Sequence, residues 1–155
     1  MTTLQHPDQF NRTVRAFCLL VDLPEDDEIA EGKAWCVDDI PCSLLRDPLD
    51  HNSFFSVVDF GEAPRQADLL EQLLAHNHSR SGFDGPGFTV SPATRHVLHV
   101  HRHRLTNETA RDLADHVARI AIRAVQWRRD LDAATAGSDA TFASPSIQHK
   151  NGLSS

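Results

Sequence analysis

The chain has 155 residues, 40% of them hydrophobic and 24% charged, which is the balance of one soluble globular domain. Its formal net charge of −7 argues against nucleic acid or an anionic membrane as a partner, because both require a basic surface. The three cysteines form no CxxC pair, and no apolar run approaches the ~20 residues that cross a bilayer. We therefore expect reduced thiols in a cytosol, and no membrane insertion.

Three short strands are predicted after a first helix. Residues 6–21 carry an apolar stripe with helical spacing, and an acidic loop follows them. Asp38 and Asp39 fit a hairpin turn between the first two strands, and Gly61 is expected to end the third. Apolar residues on both faces indicate a sheet covered on both sides, or one face kept for a partner. The strands are predicted at residues 34–37, 40–45 and 53–60.

A second helix, a second hairpin and a long final helix complete the pattern. Residues 65–76 predict the second helix, and Thr106 or Asn107 can cap the final one, since a side-chain oxygen there accepts from a free backbone N–H. Residues 136–155 hold few apolar side chains, which predicts a disordered tail behind a domain of residues 1–135. The order predicts an α+β fold, α-β-β-β-α-β-β-α, with helices packed on a twisted antiparallel sheet. The second hairpin is predicted at residues 88–90 and 96–104.

Histidines are the strongest candidates for metal chemistry, since ten are present and four fall within residues 96–103. His99, His101 and His103 share one face of a strand, which leaves a metal-binding or metal-sensing protein as the alternative function. Such residues lie ~6.5–7 Å apart along a strand, whereas zinc requires its ligands ~2 Å from the ion. We therefore expect no metal and no other cofactor. A pH-sensitive surface or interface is the favoured interpretation, because imidazole titrates near neutrality.

Sequence motifs of catalysis are missing from the chain. GxSxG, a Gly-rich phosphate loop and HExxH do not occur, and no nucleophile with a base and an orienting group stands out. We therefore do not expect an enzyme. The surplus of apolar residues in short strands predicts instead an exposed patch that binds another protein chain.

Four stretches resemble the class I type III secretion chaperones, the group typified by the Tir chaperone. The leucine-rich end of the first helix at 17–24 and the strand with its Asp turn at 34–39 are two of them. The other two are the "LL..LL..N" run at 69–77 and the closing helix with Trp127 near its end. The resemblance spans roughly residues 8–132.

This resemblance implies a homodimer in the bacterial cytoplasm that supports virulence and uses no ATP. Its client is the N-terminal segment of a type III effector, held unfolded and extended so that it stays soluble and competent for secretion. The client groove is expected on the first helix and first three strands, at Phe17, Trp35, Val37, Ile40, Leu44 and Phe55. The dimer interface is implied on the second helix and the later strands, at Leu69, Leu70, Leu73, Leu74, Val97 and His99.

Overall fold

A computed structural model describes residues 8–24, 27–79, 87–106 and 108–152, with residues 78–79 and 137–152 described by their backbone alone. The predicted α+β class and element order are confirmed. Among the described helices, none has the length and apolar content that a membrane span requires. The elements are α1 (Gln9–Leu20), β1 (Trp35–Val37), β2 (Ile40–Arg46), β3 (Ser53–Glu62), α2 (Ala67–Ser79), β4 (Gly87–Val90), β5 (His96–Arg104) and α3 (Ala110–Gly152).

The strands form one antiparallel sheet in the order β1-β2-β3-β5-β4. The predicted hairpin turn joins β1 to β2, where Val37 pairs with Ile40. Asp38 and Asp39 have φ angles of 47° and 65°, the left-handed conformation that a two-residue hairpin turn requires and that Asp tolerates better than most residues. The turn is therefore encoded locally, by two residues.

Strand β3 does not end at Gly61, so that prediction is wrong. The strand continues to Glu62 through a β-bulge between Asp59 and Gly61. Gly61 has a φ of 92°, which side-chain-bearing residues rarely adopt, and a Cβ there would lie 3.1 Å from Arg128 Nε. The guanidinium of Arg128 donates to the carbonyl oxygens of Phe60 and Asp59 at 3.2 and 3.3 Å. The glycine thus permits a bulge that α3 holds in place.

Helices α1 and α3 cover one face of the sheet and build the core with it. Phe10 of α1 packs on Phe54 with ring centroids 5.4 Å apart, and Phe17 packs on Trp35 at 5.2 Å. The buried apolar residues of α3 recur at the three- and four-residue spacing of an amphipathic helix. They are Leu113, Val117, Ile120, Ala121 and Ala124.

The opposite face of the sheet, here called the open face, carries half-buried apolar side chains. Neither α1 nor α3 packs on it, since both contact the face of Phe54. The most exposed of these side chains is Leu45, with 43% of its surface accessible to solvent. The others are Phe55, Val57, Leu98 and Val100.

Leu44 lies fully buried at the centre of the core, with 0% of its surface exposed. We expect Leu44→Ala to lower the free energy of unfolding by about 2–5 kcal/mol, because it removes buried methyl groups and leaves a cavity. Urea unfolding measures this effect. Leu49→Ala, at a position 95% exposed, is the matched control and should change stability by less than about 0.5 kcal/mol. Equal losses in the two variants would contradict this placement of Leu44.

Helix α3 begins with a reciprocal cap at Thr109. Its hydroxyl accepts from the backbone N–H of Asp112 at 3.1 Å, and the Asp112 carboxylate accepts from the backbone N–H of Thr109 at 3.3 Å. This arrangement satisfies two free N–H groups at once, which a single capping oxygen does not. The cap therefore lies later than predicted, beyond Thr106, while Asn107 lies outside the described residues.

The backbone of α3 continues to Gly152, past the start of the tail that the sequence predicts at residue 136. That residues 137–155 add nothing to the domain stays a prediction. We expect their deletion to shift the melting temperature by no more than a few degrees, because the segment holds few apolar residues to bury. Calorimetry on the shortened chain tests this. A larger drop would show that the segment docks on the domain.

Candidate client-binding site

An apolar pocket of about 290 Å³, here called the β1 pocket, opens between α1, β1 and α3. It adjoins the edge of the sheet and is lined mainly by hydrocarbon. Its volume suits one or two apolar side chains of another chain. The lining residues are Phe17, Val21, Leu23, Trp35, Cys36, Val37, Ala114, Val117 and Ala118.

The end of α1 shapes one wall of this pocket. Asp22 adopts a left-handed conformation with a φ of 58°, and the N–H of Leu23 returns to the carbonyl oxygen of Cys18 at 2.9 Å. This is the backbone pattern of a Schellman helix end, in which glycine is the usual left-handed residue. The turn folds Leu23 back against the core, while Leu19 and Leu20 stay 66% and 51% exposed beside it.

The pocket brings together the first three of the six predicted groove residues, at positions 17, 35 and 37. Ile40 and Leu44 are 1% and 0% exposed, belong to the core and do not line this pocket. Phe55 lies on the open face, away from the pocket. Sequence reasoning missed Ala114 and Ala118 of α3, although both are one position from the buried Leu113 and Val117 stripe, where small residues leave room. The assignment of these residues to a client stays a prediction.

The two edges of the sheet differ in their access to another strand. At β4, the Asn77 side chain of α2 donates to the carbonyl oxygen of Phe88 at 2.8 Å and accepts from its N–H at 2.7 Å. The amide thereby occupies the backbone groups that an added strand would use. At β1, none of the backbone hydrogen bonds between described residues involves the outer side of Trp35–Val37. Within the described part of the chain, the edge beside the β1 pocket is therefore the more accessible of the two.

The predicted dimer-interface leucines of α2 differ in exposure. Leu73 is 4% exposed and faces Phe60 and Trp127 across a cavity of about 250 Å³. Leu69 and Leu70 are half-buried, and Leu74 is 40% exposed. Leu74 is therefore the member of this set that presents most apolar surface to a partner.

The two predicted interface residues of β5 point into the domain. Val97 is 0% exposed and His99 is 3% exposed, both on the face that the helices cover. Their neighbours Leu98 and Val100 lie on the open face, because side chains alternate along a strand. A partner can therefore meet β5 through Leu98 and Val100, and the interface itself stays a prediction.

His99 and His103 of β5 are buried in the core and His101 is half-buried, so these histidines do not form the exposed pH-sensitive surface that the sequence suggested. His103 is 2% exposed, stacks on Phe54 at 4.9 Å, and shares a hydrogen bond with the Ser56 hydroxyl through Nε2 at 2.8 Å. His116 of α3 is 8% exposed and meets the rings of His101 and His103. Burial lowers the pKa of His103 to about 3 and that of His116 to about 4. The pKa of His101 is lowered for the same reason. These rings are neutral at pH 7.

No protein-family model and no curated protein matches the sequence. Solved structures do match. One is the Yersinia pestis type III secretion chaperone SycH in complex with a stable fragment of YscM2, at 16% identity over 76% of this chain and 98% of that chain, with a TM-score of 0.58. Another is the ExsC–ExsE complex, at 20% identity over 78% of this chain and 92% of that chain, with a TM-score of 0.62.

A third match is the HopA1–SchA chaperone–effector complex, at 12% identity over 82% of this chain and 99% of that chain, with a TM-score of 0.60. The fold is therefore that of the type III secretion chaperones, and the resemblance read from the sequence is confirmed at the level of the fold. The matches span nearly the whole of the neighbours' chains, so the likeness concerns the complete domain.

Proposed function

We propose that this protein is a homodimeric chaperone of the bacterial cytoplasm that holds the N-terminal segment of a type III effector unfolded and competent for secretion. The observation that carries the proposal is the apolar β1 pocket beside an accessible strand edge. It lies on a fold shared with a chaperone–effector complex. Catalysis has no part in this function.

The pocket and the edge suit an extended client. A client strand added at β1 gains backbone hydrogen bonds, and its alternate side chains face the pocket. Each buried client Leu or Val contributes about 1.5–3 kcal/mol. A dimer offers two such sites. A client that occupies both binds more tightly than it would to either site alone, because the second binding event is intramolecular. A client held in this way can neither fold nor aggregate.

Dimerisation accounts for the open face. Its apolar side chains and the exposed Leu74 are the surfaces that a second copy would cover. Covering them in a symmetric contact removes apolar surface from water, which is the main driving force of association. Phe55, predicted to bind the client, fits this interface better than the β1 pocket, because it lies on the open face.

The metal-binding or metal-sensing function built on His99, His101 and His103 gains no support as the function of this protein. The structures that share the fold are described as chaperones or complexes of protein partners. His99, moreover, is not one of the three histidines that the structure draws closest together.

Co-purification tests the proposed function. The chain should be co-expressed with N-terminal fragments of the type III effectors of its own genome, each paired with the C-terminal part of the same effector as a control. We expect one N-terminal fragment to co-purify and to stay soluble only in the presence of the chain. Capture of no N-terminal fragment, or equal capture of both parts, would overturn the proposal.

A further inference from the structure

Three histidines from two elements meet between β5 and α3, and the proposed chaperone function makes no use of them. His101 and His103 lie on the same face of β5, and His116 reaches them from α3. Ring centroids lie 4.4 Å apart for His101–His103 and His101–His116, and 5.0 Å apart for His103–His116. One ring nitrogen of each lies within 4.8 Å of those of the other two. These residues are here called the histidine cluster.

The histidine cluster avoids the geometric objection to three metal ligands in line on one strand. Three ligands in line on one strand cannot converge on an ion. Here only two ligands come from the strand, and the third comes from a helix packed on it. Sites of this kind, with three histidines and a fourth position left for water or a carboxylate, are suited to zinc.

One ring nitrogen in each histidine of the cluster lacks, among the described residues, the hydrogen-bond partner that a buried polar atom normally has. Nδ1 of His101 and Nε2 of His116 are buried without a hydrogen-bond partner among the described residues. Nδ1 of His103 lies 3.2 Å from Oε1 of Glu108, but out of line for a hydrogen bond. Such groups are rare in protein interiors and indicate a bound ion or water.

The surroundings resemble the outer shell of a metal site. The Ser56 hydroxyl lies 2.8 Å from Nε2 of His103, so it can fix the orientation of the ring and leave Nδ1 to an ion. Glu108 supplies a negative charge at the edge of the cluster. Arg119 opposes an ion, since its guanidinium lies 3.4 Å from Nδ1 of His116, but the contact is long and Arg119 is exposed, so it can turn to solvent.

We propose that His101, His103 and His116 bind one divalent transition-metal ion of the zinc class, with Glu108 or water at the fourth position. A tetrahedral zinc ion holds its ligand nitrogens about 3.3 Å apart, so small ring rotations bring the three into place. The ion clamps α3 to β5. The site goes beyond the chaperone function and does not depend on it.

Metal titration of the full, tag-free chain tests this proposal. After treatment with a chelator, Co²⁺ is added and the visible absorption of tetrahedral cobalt is followed, and Zn²⁺ is then added in competition. We expect one ion per chain and a rise in melting temperature on binding. His116→Gln and His101→Gln should each weaken binding by roughly tenfold or more. His51→Gln, at an exposed histidine outside the cluster, should change nothing.

Circular dichroism is used to check that each variant is folded. If His116→Gln does not fold, the test rests on His101→Gln, whose position is half-buried. A dissociation constant for the metal above roughly 100 µM, or an unchanged metal affinity in the folded cluster variants, would overturn the proposal. The unpaired nitrogens would then be assigned to bound water. Client binding is measured separately, so failure of the metal site leaves the chaperone function unaffected.

Discussion

Ala118→Trp should weaken binding of the proposed client at least about tenfold while the domain stays folded. Ala118 is an exposed position of α3 that lines the β1 pocket, so a larger side chain can enter the pocket without displacing the core. The indole would occupy the space in which a client side chain is expected. Loss of one or two buried apolar side chains, at about 1.5–3 kcal/mol each, weakens binding at least about tenfold. The measurement is a titration of the client fragment by fluorescence anisotropy.

The matched control is Arg129→Trp. It introduces the same side chain at another exposed position of α3, eleven residues along the helix and thus about 16 Å away. The control should bind the client as the original chain does, and both variants should unfold at similar urea concentrations. Unchanged affinity in a folded Ala118→Trp variant would show that the client does not use the β1 pocket.

The predictable parts of this fold are those that the chain encodes over a few residues. The Asp38–Asp39 turn needs only two residues that tolerate the left-handed conformation, and α3 needs only a regular apolar stripe. The course of β3 through Gly61 was not predictable in this way. The bulge depends on pairing with β5 and on Arg128, both distant in sequence.

The candidate site was likewise predictable only in part. Phe17, Trp35 and Val37 were expected in a groove because the family resemblance implies one there and the strands carry apolar residues on both faces. The floor of the pocket, which α3 supplies, comes from tertiary packing and was not expected. The choice of strand face was equally hidden. Val97 and Leu98 are both apolar, so the alternation along β5 contains no signal for which of them faces the helices. The same holds for His116, whose meeting with β5 is a contact between distant elements.

Val57→Glu should convert the proposed dimer into a folded monomer. Val57 lies at the centre of the open face, paired with Val100 on one side and Ser43 on the other. In a monomer its side chain is half-buried, so a carboxylate there can still reach water. In the proposed interface the same carboxylate would lose its hydration without a partner, at a cost of several kcal/mol per site. Symmetry places two such sites in every dimer.

Light scattering at micromolar concentration measures the result as a change of mass from two chains to one. Ile122→Glu, on the outer surface of α3 with 67% of the side chain exposed, is the control and should leave the proposed dimer intact. Leu74→Glu tests the α2 side of the interface in the same experiment. If Leu74→Glu gives a monomer while Val57→Glu does not, the second copy binds α2 and leaves the open face uncovered. A monomeric mass for the original chain would contradict the proposed homodimer itself. The apolar open face would then remain exposed to water.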